Sequence, residues 1–195
     1  MSKGKLIVLS APSGTGKTSI CKELLLKNKS WKFSISATTR SLRDNEKDGV
    51  DYIQMSNEKF EHCVKFGDFL EWEWVHGNKY GTPIGPLEDA LDDGNIMLLD
   101  IDVKGGVTLM DEYPDETIGI FIEPPGDDVA EQLEILEERL TVRSKGVSKL
   151  IKQRLKRFPL EIEYKEKFHY HFINEDLNKT VQKIEKIIKE NINES

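Results

Sequence analysis

Ala11-Pro-Ser-Gly-Thr-Gly-Lys-Thr18 has the residue types of a loop that wraps a phosphate group. It follows the pattern G-x-x-x-x-G-K-[ST], except that Ala11 stands in place of the first glycine. Gly14 and Gly16 let the backbone curl so that several N–H groups face one phosphate, and a helix starting behind them adds its positive end. Lys17 can reach the β- and γ-phosphates as a point charge, and Thr18 can offer its hydroxyl to Mg²⁺. The bland alternative is a chance glycine-rich turn, but an apolar strand precedes the loop and a helical pattern follows it. The loop by itself implies a nucleoside triphosphate. It does not separate an ATPase, a GTPase and a kinase.

Other residues could complete a phosphoryl-transfer site. Asp100 and Asp102 end an apolar strand, where a carboxylate can hold Mg²⁺ directly or through water; they can equally cap a helix starting at Val103. Arg40 and Arg43, with Tyr52 and Tyr80, offer two guanidinium forks and two phenols, enough to clamp a monophosphate dianion; otherwise they form a solvated basic loop. In Phe69-Leu-Glu-Trp-Glu-Trp74, Glu71 and Glu73 share one strand face and Trp72 and Trp74 the other. The plain expectation is tryptophans inward and glutamates in water. The functional one is that Glu71 reads guanine. A carboxylate matches the neighbouring N1–H and 2-amino donors of guanine, and the Ser36 and Thr82 hydroxyls suit its O6. Adenine has no such donor pair.

The elements that must position these groups alternate between strand and helix. Lys5–Leu9, Ile96–Leu99 and Thr117–Ile122 are short apolar runs of the kind buried on both faces of a parallel sheet, and Tyr170–Ile173 is a further strand. Helical spacing marks Thr18–Asn28, Asn57–Phe66, Gly85–Leu91, Val103–Asp111, Asp127–Leu140 and Leu177–Ile192. Lys149–Lys167 is also helical, with Pro159 bending or interrupting it. Between about Ser34 and Pro83 the pattern is more β-like: Phe33–Ser36 and Tyr52–Met55 are brief strands, and Phe69–Val75 with Lys79–Pro83 forms a hairpin around Gly77 and Asn78. Arg143–Ser148 lacks an apolar pattern and is predicted to be an exposed loop.

At 195 residues the chain suits one domain with small insertions, and it can bury a core without disulfides or metals. Its two cysteines, Cys21 and Cys63, suggest no disulfide framework. No apolar stretch is long enough to span a bilayer, and the N-terminal one is too short for a signal peptide. With 28 Lys+Arg against 35 Asp+Glu, the formal charge is −7, which argues against bulk nucleic-acid binding but not against a local anion pocket. Basic residues do cluster, at Arg139, Arg143, Lys145, Lys149, Lys152, Arg154, Lys156 and Arg157.

Taken together, Ser-Gly-Thr-Gly-Lys-Thr at 13–18, Ser-Ala-Thr-Thr-Arg at 36–40, Arg43, Gly-Val-Asp-Tyr at 49–52, Phe-Leu-Glu-Trp at 69–72, Tyr-Gly-Thr at 80–82 and Leu-Asp-Ile-Asp at 99–102 resemble guanylate kinases. The resemblance runs from about Lys3 to Ile188. It implies an α/β fold: a P-loop NTPase-type parallel sheet flanked by helices (about 3–33, 94–138 and 156–192), a partly β GMP-binding insert (about 34–90) and a short lid (about 139–155). It implies a transferase of purine nucleotide metabolism that moves the γ-phosphoryl of ATP to GMP, and to dGMP, with Mg²⁺ as cofactor.

Position by position, the resemblance assigns Ala11, Pro12, Ser13, Gly14, Thr15, Gly16, Lys17, Thr18, Ser19 and Asn174 to ATP. Ser36, Glu71, Thr82 and Asp102 go to guanine, and Arg40, Arg43, Tyr52 and Tyr80 to the GMP phosphate. Lys17, Arg40, Arg139, Arg143 and Arg154 go to the transferring phosphoryl group, and Thr18 and Asp100 to the metal. Lys149, Lys152, Lys156 and Arg157 are expected to be a solvated helix face. A cytoplasmic monomer or small homo-oligomer without nucleic-acid or membrane partners is expected. Three positions depart from the family pattern: Ala11, Lys104 where glutamine is common, and a lid at Thr141–Ser148 without the usual glycine-rich, acidic character. A scaffold domain that has lost catalysis should show a damaged phosphate loop, and Gly16, Lys17 and Thr18 are intact. A GTPase should show Asn-Lys-x-Asp, whereas Asn178-Lys179-Thr180 has no aspartate after it. A kinase for another monophosphate would lack the reason for Glu71.

Overall fold

The computed structural model describes residues 3–44, 46–75, 77–143 and 148–193, with the side chains of Arg143, residues 148–150 and Asn193 outside that description. The chain runs β1 (Lys5–Ser10), α1 (Lys17–Lys27), β2 (Lys32–Phe33), β3 (Ala37–Thr38), β4 (Ile53–Gln54), α2 (Asn57–Phe66), β5 (Phe69–Val75), β6 (Asn78–Pro83) and α3 (Gly85–Asp92). It continues through β7 (Ile96–Asp100), α4 (Val103–Glu112), β8 (Thr117–Glu123), α5 (Val129–Arg143), α6 (Ser148–Leu155), α7 (Phe158–Glu163), a 3₁₀ turn, β9 (Tyr170–Ile173) and α8 (Leu177–Asn193).

The central sheet has the order β2-β7-β1-β8-β9, and every pairing in it is parallel. Along β1 the side chains alternate between two buried layers. Ile7 and Leu9 pack with Ile20 and Leu24 of α1 and Val181, Ile184 and Ile188 of α8. Leu6 and Val8 pack with Leu87 of α3 and Leu109 of α4. An apolar run without polar alternation therefore means a strand covered on both faces. Gly119 of β8 lets α4 press close, since a Cβ there would collide with Met110 Sδ.

Two breaks follow from local chemistry. Helix α5 starts at Val129 rather than Asp127, because Asp128 Oδ1 accepts from Glu131 N–H while the Glu131 carboxylate accepts from Asp127 N–H. The helix expected over 149–167 splits into α6, α7 and the turn. Pro159 lies in the first turn of α7, where its missing N–H costs nothing, and Lys156 and Arg157 form the join.

A second sheet, β4-β3-β6-β5, carries the β-like middle of the chain. Its β5–β6 hairpin is antiparallel and sets Glu71 opposite Thr82 and Glu73 opposite Tyr80. Cross-strand neighbours on one face are in side-chain contact, so the register itself gathers candidate site residues. Phe60 of α2, fully buried, packs on Phe69 from the other face.

Candidate active site

The phosphate loop leaves β1 at the C-terminal edge of the sheet, where β1 lies between β7 and β8. Ligands in open parallel sheets sit at that edge. Gly14 (φ 101°) and Gly16 (φ 97°) take left-handed conformations that an L side chain rarely adopts. Gly16 is the N-cap of α1; Ser19 and Ile20 N–H already donate to its carbonyl, which leaves the N–H groups of Lys17 and Thr18 at the open end of the helix. Ala11 turns its methyl into the core layer beside Ile20 and Ile122, which is why the departure from glycine is tolerated.

Pairing Leu9 with Asp100 brings the end of β7 beside the loop. Lys17 Nζ lies 2.8 Å from Asp100 Oδ1 and donates to the Ile101 carbonyl at 2.6 Å. Burial pulls the Lys17 ammonium down, but the charge and hydrogen bond of Asp100 outweigh it and hold the lysine above its ordinary value. Thr18 donates its hydroxyl to Asp100 Oδ2 at 3.1 Å. A hydroxyl and a carboxylate thus converge beside the lysine, a donor set that suits Mg²⁺ arriving on phosphates. The two aspartates divide their roles. Asp102, not Asp100, caps α4, its Oδ1 accepting from Lys104 N–H and Gly105 N–H at 3.0 and 2.9 Å.

In the second sheet, Arg40 donates through Nε to the Tyr80 hydroxyl at 3.0 Å and through Nη2 to Glu46 at 2.8 Å, and it stacks over the Tyr52 ring. Arg43 lies 3.7 Å from the same Glu46, with Tyr52 and Tyr80 edge to face. All four residues expected to form a monophosphate clamp are therefore together. Glu46, which holds both guanidinium groups, was missed by sequence reasoning; its spacing of three from Arg43 was the available signal.

The strand face of β5 is the reverse of the plain expectation. Trp72 and Trp74 are 46% and 57% exposed, while Glu71 and Glu73 point toward α4. The carboxylates can turn in because partners meet them there. Thr82 donates to Glu71 Oε1 at 2.5 Å. Glu73 takes Arg157 at 3.2 Å and Lys104 at 3.6 Å. Burial pushes the Glu71 carboxyl up to about 7, helped by the charges of Asp102 and Glu73 and opposed by Thr82 and Lys17. Contact with Asp102 raises Glu73. Burial pushes Asp102 up as well, but its bonds with Glu73 and Gly105 and the charges of Lys17 and Arg157 keep it below the usual value.

Gly105 is a second residue that sequence reasoning missed. A Cβ there would stand 2.9 Å from Glu71 Cδ and 3.1 Å from its Oε2. Gly105→Ala should therefore leave the fold intact or stabilise it by ~0.5 kcal/mol, since helices prefer alanine. It should push the Glu71 carboxylate aside and raise the KM for the acceptor about tenfold. Thermal denaturation alongside steady-state kinetics checks both.

Of the three arginines expected in the lid, Arg154 donates to Ser13 Oγ of the phosphate loop at 2.8 Å and Arg139 to the Asn174 carbonyl at 3.1 Å. The Arg143 side chain lies outside the described residues, as do Lys145 and most of the expected loop 143–148. Asn174 sits behind the loop rather than open to it: buried, it donates to the Thr15 carbonyl at 2.6 Å. Ser36 lies beside the clamp at the start of β3, its carbonyl accepting from Ile53 N–H. Lys152 and Lys156 are exposed as expected. Arg157 is not: it contacts Glu73, Asp102 and Glu161.

Comparison with known proteins places the whole chain. The family model described as guanylate kinase matches residues 3–191. The chain is 42% identical over 188 residues to a guanylate kinase of Clostridium tetani, across 96% of this chain and 86% of that protein. It is 40% identical over 181 residues to one of Chlorobium luteolum, across 93% and 89%. A solved guanylate kinase from Anaplasma phagocytophilum aligns with a TM-score of 0.75 at 33% identity, across 97% of this chain and 86% of that one.

Proposed function

The chain belongs to the guanylate kinase family, and on that premise we propose how its own residues perform the reaction. The protein is an ATP:GMP phosphotransferase, making ADP and GDP. The observation that carries the acceptor assignment is the half-buried Glu71 carboxylate, held by Thr82 and given room by Gly105. We assign Ser36, Glu71, Thr82 and Asp102 to guanine and Arg40, Arg43, Tyr52 and Tyr80 to its phosphate. The domain division follows the same lines, with the second sheet as the acceptor insert and residues 139–155 as the lid.

Phosphoryl transfer leaves the protein little covalent work; placement and charge neutralisation carry the rate. Lys17 and the loop N–H groups hold the β- and γ-phosphates. Arg139, Arg143 and Arg154 meet the donor phosphates from the lid side, and Arg40 reaches from the acceptor phosphate toward the transferring group. No general base is needed, because the attacking phosphate oxygen of GMP is already anionic. Thr18 and Asp100 fit Mg²⁺, which when bound neutralises charge on the phosphate oxygens. Among the described residues no helix is long and apolar enough to cross a membrane. We take the cytoplasm as the place of action.

An acceptor panel tests the reading. ADP release from ATP, measured with GMP, dGMP, AMP, CMP, UMP and dTMP, should show GMP first, dGMP second and the others near background. A protein that releases ADP no faster with GMP than with AMP would overturn the assignment of Glu71.

A further inference from the structure

One guanidinium spans three carboxylates from three separate segments. Arg157, in the two-residue join between α6 and α7, directs Nη2 at Glu73 of β5 (3.2 and 3.5 Å) and at Asp102 Oδ2 (3.6 Å). Its Nε lies 3.6 Å from Glu161. Glu73 also faces Lys104 at 3.6 Å. Glu71 sits two residues before Glu73 on the same strand face, so three carboxylates crowd the gap between β5 and α4. Glu73 and Asp102 touch through a shared proton, and once that proton leaves they repel one another, so a cation beside both keeps the gap closed.

We propose that Arg157 is a positioning residue for the acceptor base: by bridging Glu73 to Asp102 it holds β5 against α4 and so fixes the distance between Glu71 and Asp102. This rests on the assignment of those two carboxylates to guanine. One oxygen of Asp102 is taken by the helix N–H groups, so Arg157 sets the direction of the other. Lys104 acts beside it on Glu73 alone. A fork suits this task better than an ammonium, because separate N–H groups reach separate oxygens at fixed angles.

Steady-state kinetics of the full chain, with GMP and ATP varied in turn, tests the proposal on Arg157→Ala and Arg157→Lys. The alanine variant should raise the GMP KM about tenfold while kcat and the ATP KM stay within about twofold. The lysine variant keeps a charge in place and should show a smaller rise, of about threefold, also confined to GMP. If alanine at 157 prevents folding, the lysine variant decides alone. The proposal is overturned if both variants bind GMP as the wild type does. It is also overturned if kcat falls at unchanged GMP KM, or if both KM values rise together as a merely structural residue would cause. A wild type that does not phosphorylate GMP would overturn the reading of the site, and this proposal with it. A wild type that does, beside variants with unchanged GMP KM, removes this proposal alone.

Discussion

Lys17→Ala is expected to lower kcat by at least about a thousandfold, because Lys17 is the only loop cation positioned for charge that shifts between the β- and γ-phosphates during transfer. Two features make the effect large. The ammonium stays charged despite burial, since Asp100 more than offsets the pull of desolvation. It is also anchored by the Ile101 carbonyl and Asp100, so it is already oriented before ATP arrives. Loss of fold is a separate and smaller matter. Removing the lysine leaves Asp100 with the Thr18 hydroxyl, at a cost of roughly 1–3 kcal/mol. Activity measured well below the melting temperature, with circular dichroism on the same sample, separates the two. Lys17→Arg should not rescue turnover, because a planar fork is broader than the ammonium the loop encloses. Recovery of more than about a tenth of wild-type kcat by either variant would remove Lys17 from the centre of the mechanism.

How much of this was legible before the fold was known depends on sequence distance. The phosphate loop is contiguous, and its glycines, lysine and threonine announce their own geometry. Strands buried on both faces announce themselves as unbroken apolar runs, so the parallel core followed from Lys5–Leu9, Ile96–Leu99 and Thr117–Ile122. The β5–β6 hairpin was legible as well, but the register that sets Glu71 opposite Thr82 came only with the fold. Which face of β5 turns inward was not. Alternation fixes that Glu71 and Glu73 share a side, but the choice of side rests on partners far away in the chain. Arg157 is 84 positions from Glu73. Gly105, which makes room for Glu71, belongs to α4 rather than to the hairpin. A lone arginine beside Lys156 looks like a solvated face, because nothing local distinguishes it from its neighbours.

The same distance explains the two departures that the structure resolves. Ala11 faces the core layer rather than the phosphate side of its loop, so the extra methyl is buried as an ordinary apolar group. Lys104 of α4, where glutamine is common in the family, faces Glu73 of β5 at 3.6 Å and adds to the positive charge that Arg157 sets beside it. A lysine that looked anomalous beside Asp102 is matched to a glutamate at 73.

Glu71→Gln is expected to harm function and help stability, with opposite pH signatures. A carboxylate accepts from both N1–H and the 2-amino group of guanine; glutamine keeps one acceptor and sets an amide N–H₂ against the other donor. Losing one charge-assisted bond and opposing a donor costs roughly 3 kcal/mol, about a hundredfold in kcat/KM for GMP. Stability moves the other way. The folded state holds the Glu71 proton up to about pH 7, while an ordinary glutamate releases it near 4.5, so the fold binds this proton more tightly than the unfolded chain does. Its stability therefore falls as pH rises from 4.5 through 7, and above that the buried charge costs roughly 3 kcal/mol. Glutamine can still accept from Thr82 but carries no charge, so the variant should melt higher than the wild type at pH 8 and no higher at pH 4.5. Binding supplies the second check. Only ionised Glu71 serves guanine, so the wild-type GMP KM should climb as pH falls below 7, whereas the variant's KM should follow only the second ionisation of the substrate phosphate, near ~6. The ratio of the two KM values isolates Glu71. A ratio that stays flat from pH 6 to 8, or a variant no more stable than the wild type at pH 8, would show that Glu71 carries no buried charge to offer guanine.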